Sequence, residues 1–443
     1  MTPYAARRAQ LLGRMQPGAV AVLGAAPEVP RNGDSDYPYR HDSHFYYLSG
    51  FAEPESFVVL VAAQGEHAGR SILFCREKNV EREIWEGFRF GPEAARAAFG
   101  FDEAYPIDEL DARMADVLAD APALYYALGS GAALDARVAG WLKAVRARGR
   151  TGVTAPQTTH HLLAMLDEMR LVKDEHEIAL MARAGAISAQ AHARAMRATR
   201  PGMFEYEIEA ELLHEFRRNG AQFPAYPSIV ASGPQACVLH YNANNRRIED
   251  GDLVLIDAGC ELDGYASDIT RTYPANGRFS DAQRTLYELV LRAQAAALEA
   301  ILPGRPYSAI HDAAVRVLTE GMLDLGLLDR NKVGPLDEAV ASRAYAQFYM
   351  HGTGHWLGMD VHDVGAYRDV ASPDKPSRPL LPGMALTVEP GIYVRPGEGV
   401  PERFWNIGIR IEDDVVVTDA GCRILTTGAP KDIADIETVM RKQ

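Results

Sequence analysis

Cysteine is scarce in this sequence. Cys75, Cys237, Cys260 and Cys422 stand far apart among 443 residues and form no C-x-x-C pair. That excludes a disulfide scaffold and a thiolate zinc site. Long hydrophobic runs are also missing. The apolar stretch Ala19 to Ala26 follows Pro17-Gly18 and is far below the ~20 residues a helix needs to cross a bilayer. It reads as a buried strand rather than the core of a signal peptide. Positive charge is in deficit, with 46 Lys and Arg against 60 Asp and Glu and a net charge of −14. A broad grip on nucleic acid or an anionic membrane is not expected from that balance. A reducing, cytoplasmic setting is the expectation.

What is present is a globular composition, 47% hydrophobic and 24% charged, in a chain whose length points to two domains. Val58 to Val61 and Ser71 to Phe74 read as strands, and Leu110 to Leu118 as a helix. The segment Asp34 to Phe51 crowds Tyr37, Tyr39, Phe45, Tyr46 and Tyr47 around His41, Asp42 and His44. It reads as a half-buried strand and turn, with the lip of a pocket as the alternative. A boundary falls between Pro156 and Asp174, giving an α/β domain over residues 1–172 and a second domain over 173–443.

The second domain is punctuated by helix signals. Asp174 with Glu177, and Ser280 with Gln283, have capping-box spacing. Each opens a long helix stopped by Pro-Gly, at Pro201-Gly202 and Pro303-Gly304. A second helix follows each stop, over about Glu205 to Arg218 and Ser308 to Leu325. A second echo accompanies the first. Gly251 to Gly259 and Gly383 to Gly391 share one pattern: Gly, five residues, a carboxylate (Asp257 or Glu389), one residue, Gly. Another strand with another carboxylate follows each, at Asp268 and Glu412. Two related α/β halves are implied.

Those carboxylates carry the chemistry. Asp257 ends the apolar run Leu253 to Ile256, and Asp263-Gly264 is a hairpin turn signal. One hairpin register sets Asp257 directly opposite Asp268; the other makes them diagonal neighbours. Either brings the carboxylates within about 4.5–8 Å. Such a pair needs a shared proton, an arginine or cations to offset repulsion and burial. The run His351-Gly-Thr-Gly-His355-Trp-Leu-Gly358 is too rich in glycine for a helix. In a strand or loop its glycines let the backbone approach a ligand closely. Arg410 and Glu412 share one strand face, and Arg410 alone is also compatible with a surface salt bridge. Asp257, Asp268, His355, Glu389 and Glu412 together form a hard, oxygen-rich donor set suited to Mn²⁺, and also to Co²⁺, Zn²⁺ or Fe²⁺ when two ions share carboxylates.

The blocks DAG at Asp257, SDITRT at Asp268, HGTGHWLG at His351, VHDVG at His362, TVEPGIY at Glu389 and GIRIEDD at Glu412 resemble the metal-ligand blocks of the pita-bread metallopeptidases. The resemblance is closest to the aminopeptidase P group of family M24B, and RNGDSDYPYRHDSHFYYLSGF with Glu83-Ile84-Trp85 extends it over the N-terminal part. It implies a catalytic pita-bread domain of two pseudo-symmetric halves behind a smaller α/β domain with an accessory, oligomer and cleft-lip role. It further implies two divalent ions per chain, most simply Mn²⁺. Asp257 would bind one, Asp268 and Glu412 would bridge both, and His355 and Glu389 would bind the second, with Glu389 as base. His240, His351 and His362 would contact the substrate and the tetrahedral intermediate. Tyr393 and Arg410 would shape and polarise the site. Asp34, Trp85 and Arg150 match accessory positions, some of which reach a neighbouring subunit's cleft in the family.

The activity so implied is release of the N-terminal residue from peptides with proline second, by a homodimer or homotetramer with no nucleic-acid or membrane partner. Its nearest rival is a dipeptidase restricted to Xaa-Pro. A methionine aminopeptidase would not need the N-terminal domain, and creatinase-like hydrolases lack the full ligand set. A non-catalytic pita-bread peptide-binding protein is the rival of a different class, and such relatives lose ligands that this chain keeps.

Overall fold

The computed structural model describes residues 2–441, and the chain divides between Arg170 and Leu171 into two compact units. The first unit is built on a mixed sheet of six strands: β1 (Val20–Gly24), β2 (Phe57–Val61), β3 (Arg70–Cys75), β4 (Glu103–Pro106), β5 (Ala123–Tyr126) and β6 (Thr158–His161). Their spatial order is β4-β3-β2-β1-β5-β6. β1 and β2 are antiparallel with Val20 opposite Val61, whereas β1 and β5 are parallel. The apolar run after Pro17-Gly18 is thus a central strand. Helices Leu110–Val117 and Ala132–Ala147 bury Leu110, Met114, Val138, Trp141 and Val145 with Val20, Val22, Ile72 and Phe74 of the sheet. Each such side chain contributes about 1.5–3 kcal/mol relative to exposure.

The aromatic segment Asp34 to Phe51 departs from the strand-and-turn expectation. Only Ser35–Asp36 is strand, paired with Pro30–Asn32. Ser43–Ser49 is a helix. The reason is local: the Asp42 carboxylate accepts the Phe45 N–H at 2.8 Å as an N-cap, and Gly50 closes the end in the left-handed region at φ 66°. Phe45, Tyr47 and Leu48 are buried by this helix.

The second unit repeats one layout. Helices α1 (Glu175–Ala198) and α2 (Glu205–Arg218) precede strands β7 (Ile229–Ser232), β8 (Leu253–Asp257) and β9 (Thr270–Pro274). Helices α3 (Asp281–Glu299) and α4 (Ser308–Asp324) precede β10 (Ala385–Val388), β11 (Gly391–Val394), β12 (Ile407–Arg410) and β13 (Asp413–Thr418). Both capping boxes form, Asp174 with Glu177 and Ser280 with Gln283. One continuous core takes Ile187, Leu212 and Phe216 from the first helix pair, Leu286, Val290 and Leu318 from the second, and Val254, Ile256, Ile392 and Ile409 from the strands.

Strand register places the carboxylates. Asp257 pairs with Thr270 across β8 and β9. Between them a small hairpin, Cys260–Leu262 with Tyr265–Ala266, turns at Asp263 and Gly264, whose φ values are 49° and 79°. The turn is therefore centred on Asp263-Gly264, and Asp268 is the diagonal neighbour of Asp257. On the other side Val388 pairs with Asp413, so one step further along that register Glu389 faces Glu412.

A buried ion pair pins the loop that follows the histidine-glycine run. Lys173 Nζ lies 2.8 Å from Asp363 Oδ2, with both side chains 1% exposed. Asp363→Ala leaves the lysine charge buried and is expected to cost about 3–5 kcal/mol of stability, read by urea denaturation. The double variant Lys173→Met/Asp363→Leu should recover part of that loss. A single variant as stable as the wild type would show that the pair does not hold the loop.

Candidate metal centre

The glycines of the His351 run act first on backbone geometry. A Cβ on Gly354 would lie 2.0 Å from the Thr387 carbonyl oxygen. Only glycine lets the run pack this closely along β10. The close approach is to a strand, and Gly352 and Gly354 also line the cleft. Thr387 N–H donates to the His355 carbonyl at 2.9 Å, and Glu389 N–H to the Thr353 carbonyl at 2.8 Å. Thr353 is held in turn through its hydroxyl, 2.8 Å from His311 Nδ1 and 2.7 Å from the Tyr349 hydroxyl. His355 is thereby fixed beside Glu389.

The result is a cleft of about 490 Å³ whose lining includes Asp257, Asp268, Glu389, Glu412, His240, His351, His355, His362 and Arg410. Ligand atoms of Asp268, His355 and Glu412 all lie within 4.8 Å of one another. His355 Nε2 is 3.4 Å from Asp268 Oδ2 and 3.8 Å from Glu389 Oε1. Its Nδ1 is 2.9 Å from the Trp356 carbonyl, which selects the tautomer that turns Nε2 toward the carboxylates. Arg410 is not in a surface salt bridge. It is 4% exposed, and its guanidinium reaches Asp257 Oδ2 at 2.6 Å, the Tyr393 hydroxyl at 3.0 Å and Thr270 Oγ1 at 3.0 Å. His351 Nε2 is 2.8 Å from the same Tyr393 hydroxyl, although Tyr393 itself is buried behind the lining.

Burial and crowding set the proton affinities. Burial pushes Glu389 up to about 7, while His355 and Arg410 pull the other way. Glu412 is driven far above the usual carboxylate range by burial, with Asp268 and Glu389 adding to it. Burial also raises Asp257 against the pull of Arg410. Asp268 is the exception: burial acts to raise it, but the bond and charge of His355 hold it below its ordinary value. Burial alone would lower His355, yet Asp268 and Glu389 push it up to about 9. His351 Nδ1 lies 3.8 Å from Glu389 Oε2, yet burial, with the Arg410 charge beside it, takes this imidazole down to about 3.

Several residues that the sequence does not single out complete the site. The one hydrogen of the Tyr226 hydroxyl is shared between Asp257 Oδ1 at 2.6 Å and Asp268 Oδ1. Burial among these carboxylates keeps its phenol protonated far above its ordinary range. Thr270 donates to Glu412 Oε2 at 2.6 Å, and the Asp268 N–H donates to the Asp414 carboxylate at 3.0 Å. No local pattern marks Tyr226, because it arrives through the pairing of β7 with β8 that sets Ile229 opposite Asp257. Asp34, Trp85 and Arg150 belong to the first unit and are exposed there. Trp85 lies on the helix Val80–Glu86, which buries none of its residues.

Four enclosed carboxylates and one imidazole, with a single arginine among them, form a donor set that fits divalent cations better than it fits an empty cleft. The model of metallopeptidase family M24 matches residues 179–419, and that of the aminopeptidase P N-terminal domain matches residues 4–125. The Xaa-Pro aminopeptidase of Escherichia coli K12 is 46% identical over 440 residues, 99% of this chain and 98% of that protein. The structure of Pseudomonas aeruginosa aminopeptidase PepP superposes with a TM-score of 0.95 at 49% identity, covering 99% of this chain and 97% of that one. Zinc-substituted E. coli aminopeptidase P in complex with product gives 0.94 at 45% identity, covering 99% and 98%. This chain belongs to metallopeptidase family M24, with an aminopeptidase P N-terminal domain ahead of a pita-bread peptidase domain.

Proposed function

We propose that this chain is a metal-dependent aminopeptidase that releases the N-terminal residue from peptides with proline in the second position. The observation that carries the reading is the convergence of Asp257, Asp268, His355, Glu389 and Glu412 on one cleft with three histidines at its wall. Asp257 would hold one divalent ion, His355 and Glu389 a second, and Asp268 and Glu412 would be shared. The absence of thiolate donors favours Mn²⁺ among the candidates. When bound, such a pair supplies Lewis acidity toward the scissile carbonyl and a nucleophilic hydroxide near neutral pH.

The chain's own groups do the rest. Glu389 takes the proton of the attacking water and returns it to the departing prolyl nitrogen, which has no hydrogen of its own in the tertiary amide. His240 and His362 offer N–H groups to the substrate carbonyl as it becomes tetrahedral, while His351, its Nδ1 2.7 Å from the Gly352 carbonyl and its Nε2 2.8 Å from the Tyr393 hydroxyl, lines the substrate's path. Arg410 pairs with Asp257 at 2.6 Å and, with His351, fixes the Tyr393 hydroxyl. Asp34, Trp85 and Arg150 of the N-terminal unit are assigned to the rim of a cleft in a homodimer or homotetramer. The four unpaired cysteines support a reducing, cytoplasmic setting.

Glu389→Ala and Asp268→Asn should each lower kcat/KM on an Xaa-Pro-Xaa tripeptide by roughly 10²–10⁴-fold or more without loss of the folded state by circular dichroism. Near-normal turnover in either variant defeats the assignment. Turnover of Xaa-Pro dipeptides alone would instead make the chain a dipeptidase.

Metal-free protein should show a distinctive pH dependence. A carboxyl group whose folded pKa is raised stabilises the fold below its unfolded pKa and loses that contribution as pH rises through the folded one. For Glu389 the window runs from 4.5 to about 7, and His355 continues the loss from 6.5 to about 9. Histidines with lowered folded values act the other way, since His351 at about 3 and His192 at about 4 gain stability as pH rises to 6.5. Thermal stability of the chelated protein is therefore expected to fall from pH 7 to pH 9, and saturating Mn²⁺ to flatten the fall. Identical profiles with and without Mn²⁺ would show that these groups do not meet a cation.

A further inference from the structure

Gln294 is a buried polar residue with no part in the reaction proposed above. It lies on the apolar stripe of α3, among Leu286, Leu289, Val290, Ala293 and Ala297, and is 1% exposed. A primary amide in such a place costs free energy unless it is hydrogen-bonded. Its bonds go to a particular set of partners. The two hydrogens of Nε2 are shared among the Val388 carbonyl at 3.3 Å, the Ile411 carbonyl at 3.3 Å and Asp413 Oδ2 at 3.1 Å. Its Oε1 accepts from Lys431 Nζ at 3.0 Å.

Val388 immediately precedes Glu389, and Ile411 immediately precedes Glu412. Asp413 follows Glu412 and is itself fixed by Arg271 at 2.7 Å, by Thr426 at 2.8 Å and by Lys431 at 2.6 Å. Arg271 also donates to the Glu412 carbonyl at 2.5 Å. One side-chain amide thus touches the backbone beside two carboxylates on two different strands, both where the strand is interrupted. β10 ends at Val388, β11 begins at Gly391, and β12 and β13 are separated by Ile411 and Glu412. At these breaks a single backbone bond, from the Ile411 N–H to the Pro390 carbonyl at 3.3 Å, joins the two segments.

We propose that Gln294 is a positioning residue for the metal centre, a cross-tie from α3 that sets the spacing of Glu389 and Glu412. This rests on the metallopeptidase reading. The two side chains repel each other, and a ligand pair is useful only when held to within about 0.5 Å. The tie acts from the side of the strands away from the cleft, so it touches neither substrate nor ligand atoms. Outer-shell groups of this kind typically change metal affinity or activity by roughly 10–100-fold when removed.

The test compares wild type, Gln294→Met and Tyr287→Phe as metal-free proteins titrated with Mn²⁺ by calorimetry, with tripeptide cleavage measured on the reloaded enzymes. Met matches the length of Gln and makes none of the four bonds. Tyr287→Phe removes a bond from the same helix to the Lys431 carbonyl and controls for plain destabilisation. Gln294→Met is expected to bind Mn²⁺ roughly 10–100-fold more weakly and to lose kcat with KM within about twofold. Tyr287→Phe should keep wild-type affinity at a comparable melting shift. If Gln294→Met does not fold, Gln294→Asn, which withdraws the amide by one methylene, enters the same titration with the same expectation. Wild-type affinity in either Gln294 variant overturns the proposal, as does failure of both to fold, which would make the residue purely structural. Absence of Mn²⁺ binding by the wild type would instead sink the metallopeptidase reading.

Discussion

Four carboxylates facing one enclosed cleft is the constraint to which the rest of the second unit answers. Asp257, Asp268, Glu389 and Glu412 cannot all be charged there without compensation, since burial and mutual repulsion both favour the neutral form. Without cations the protein meets the cost unevenly. Asp268 stays ionised against His355, and Asp257 faces Arg410. Glu389 and Glu412 are left with strongly raised proton affinities. The protons on that coupled group belong to the cluster more than to any one residue. A divalent cation among these groups would take the place of such protons and relieve the electrostatic frustration of four crowded carboxylates.

That frustration explains the unusual polarity behind the cleft. Arg271 is fully buried and donates to Asp413 and to backbone carbonyls of Thr270, Glu412 and Ala429. Asp413 also takes bonds from Gln294, Thr426 and Lys431. A buried ion pair adds little net stability compared with well-packed apolar groups. A hydrogen-bonded lattice does, however, resist the displacement that repelling carboxylates would otherwise drive. Its location next to Glu412 and Asp268, rather than elsewhere in the core, matches that demand.

The legible parts of the structure were those with local causes. Asp174 and Ser280 cap helices through bonds spanning three residues, and the Asp263-Gly264 turn fixes a register that makes Asp257 and Asp268 neighbours. The five candidate ligands stood out because Asp257 and Glu389 end apolar strands, Asp268 and Glu412 follow them beside further strands, His355 sits in a glycine-rich run, and all five fall in blocks that resemble one family's. Tyr226, Thr270 and Gln294 did not, because their partners come from other strands and their residue types are ordinary in such positions. The helix Ser43–Ser49 was missed for a different reason. Its aromatic residues favour strands, and the Asp42 cap and Gly50 terminus outweighed that preference.

The repeat inside the second unit carries the last step. Each half supplies two carboxylates from equivalent places: Asp257 and Asp268 from β8 and the segment before β9, Glu389 and Glu412 from the ends of β10 and β12. A site built from symmetry alone would hold two ions in like surroundings. The second half breaks the symmetry with a longer connection from its second helix to its carboxylate-ending strand, residues 325–384 against 219–252, and the longer one carries His351, His355 and His362 where the shorter carries His240. It also lengthens the acidic side chains from Asp to Glu at both equivalent positions. One side of the cleft thus pairs Asp257 with an arginine, while the other pairs Glu389 with imidazoles. The duplicated fold brings different neighbours to equivalent carboxylates: Asp257 lies 2.6 Å from Arg410, while Glu389 lies 3.8 Å from both His351 and His355.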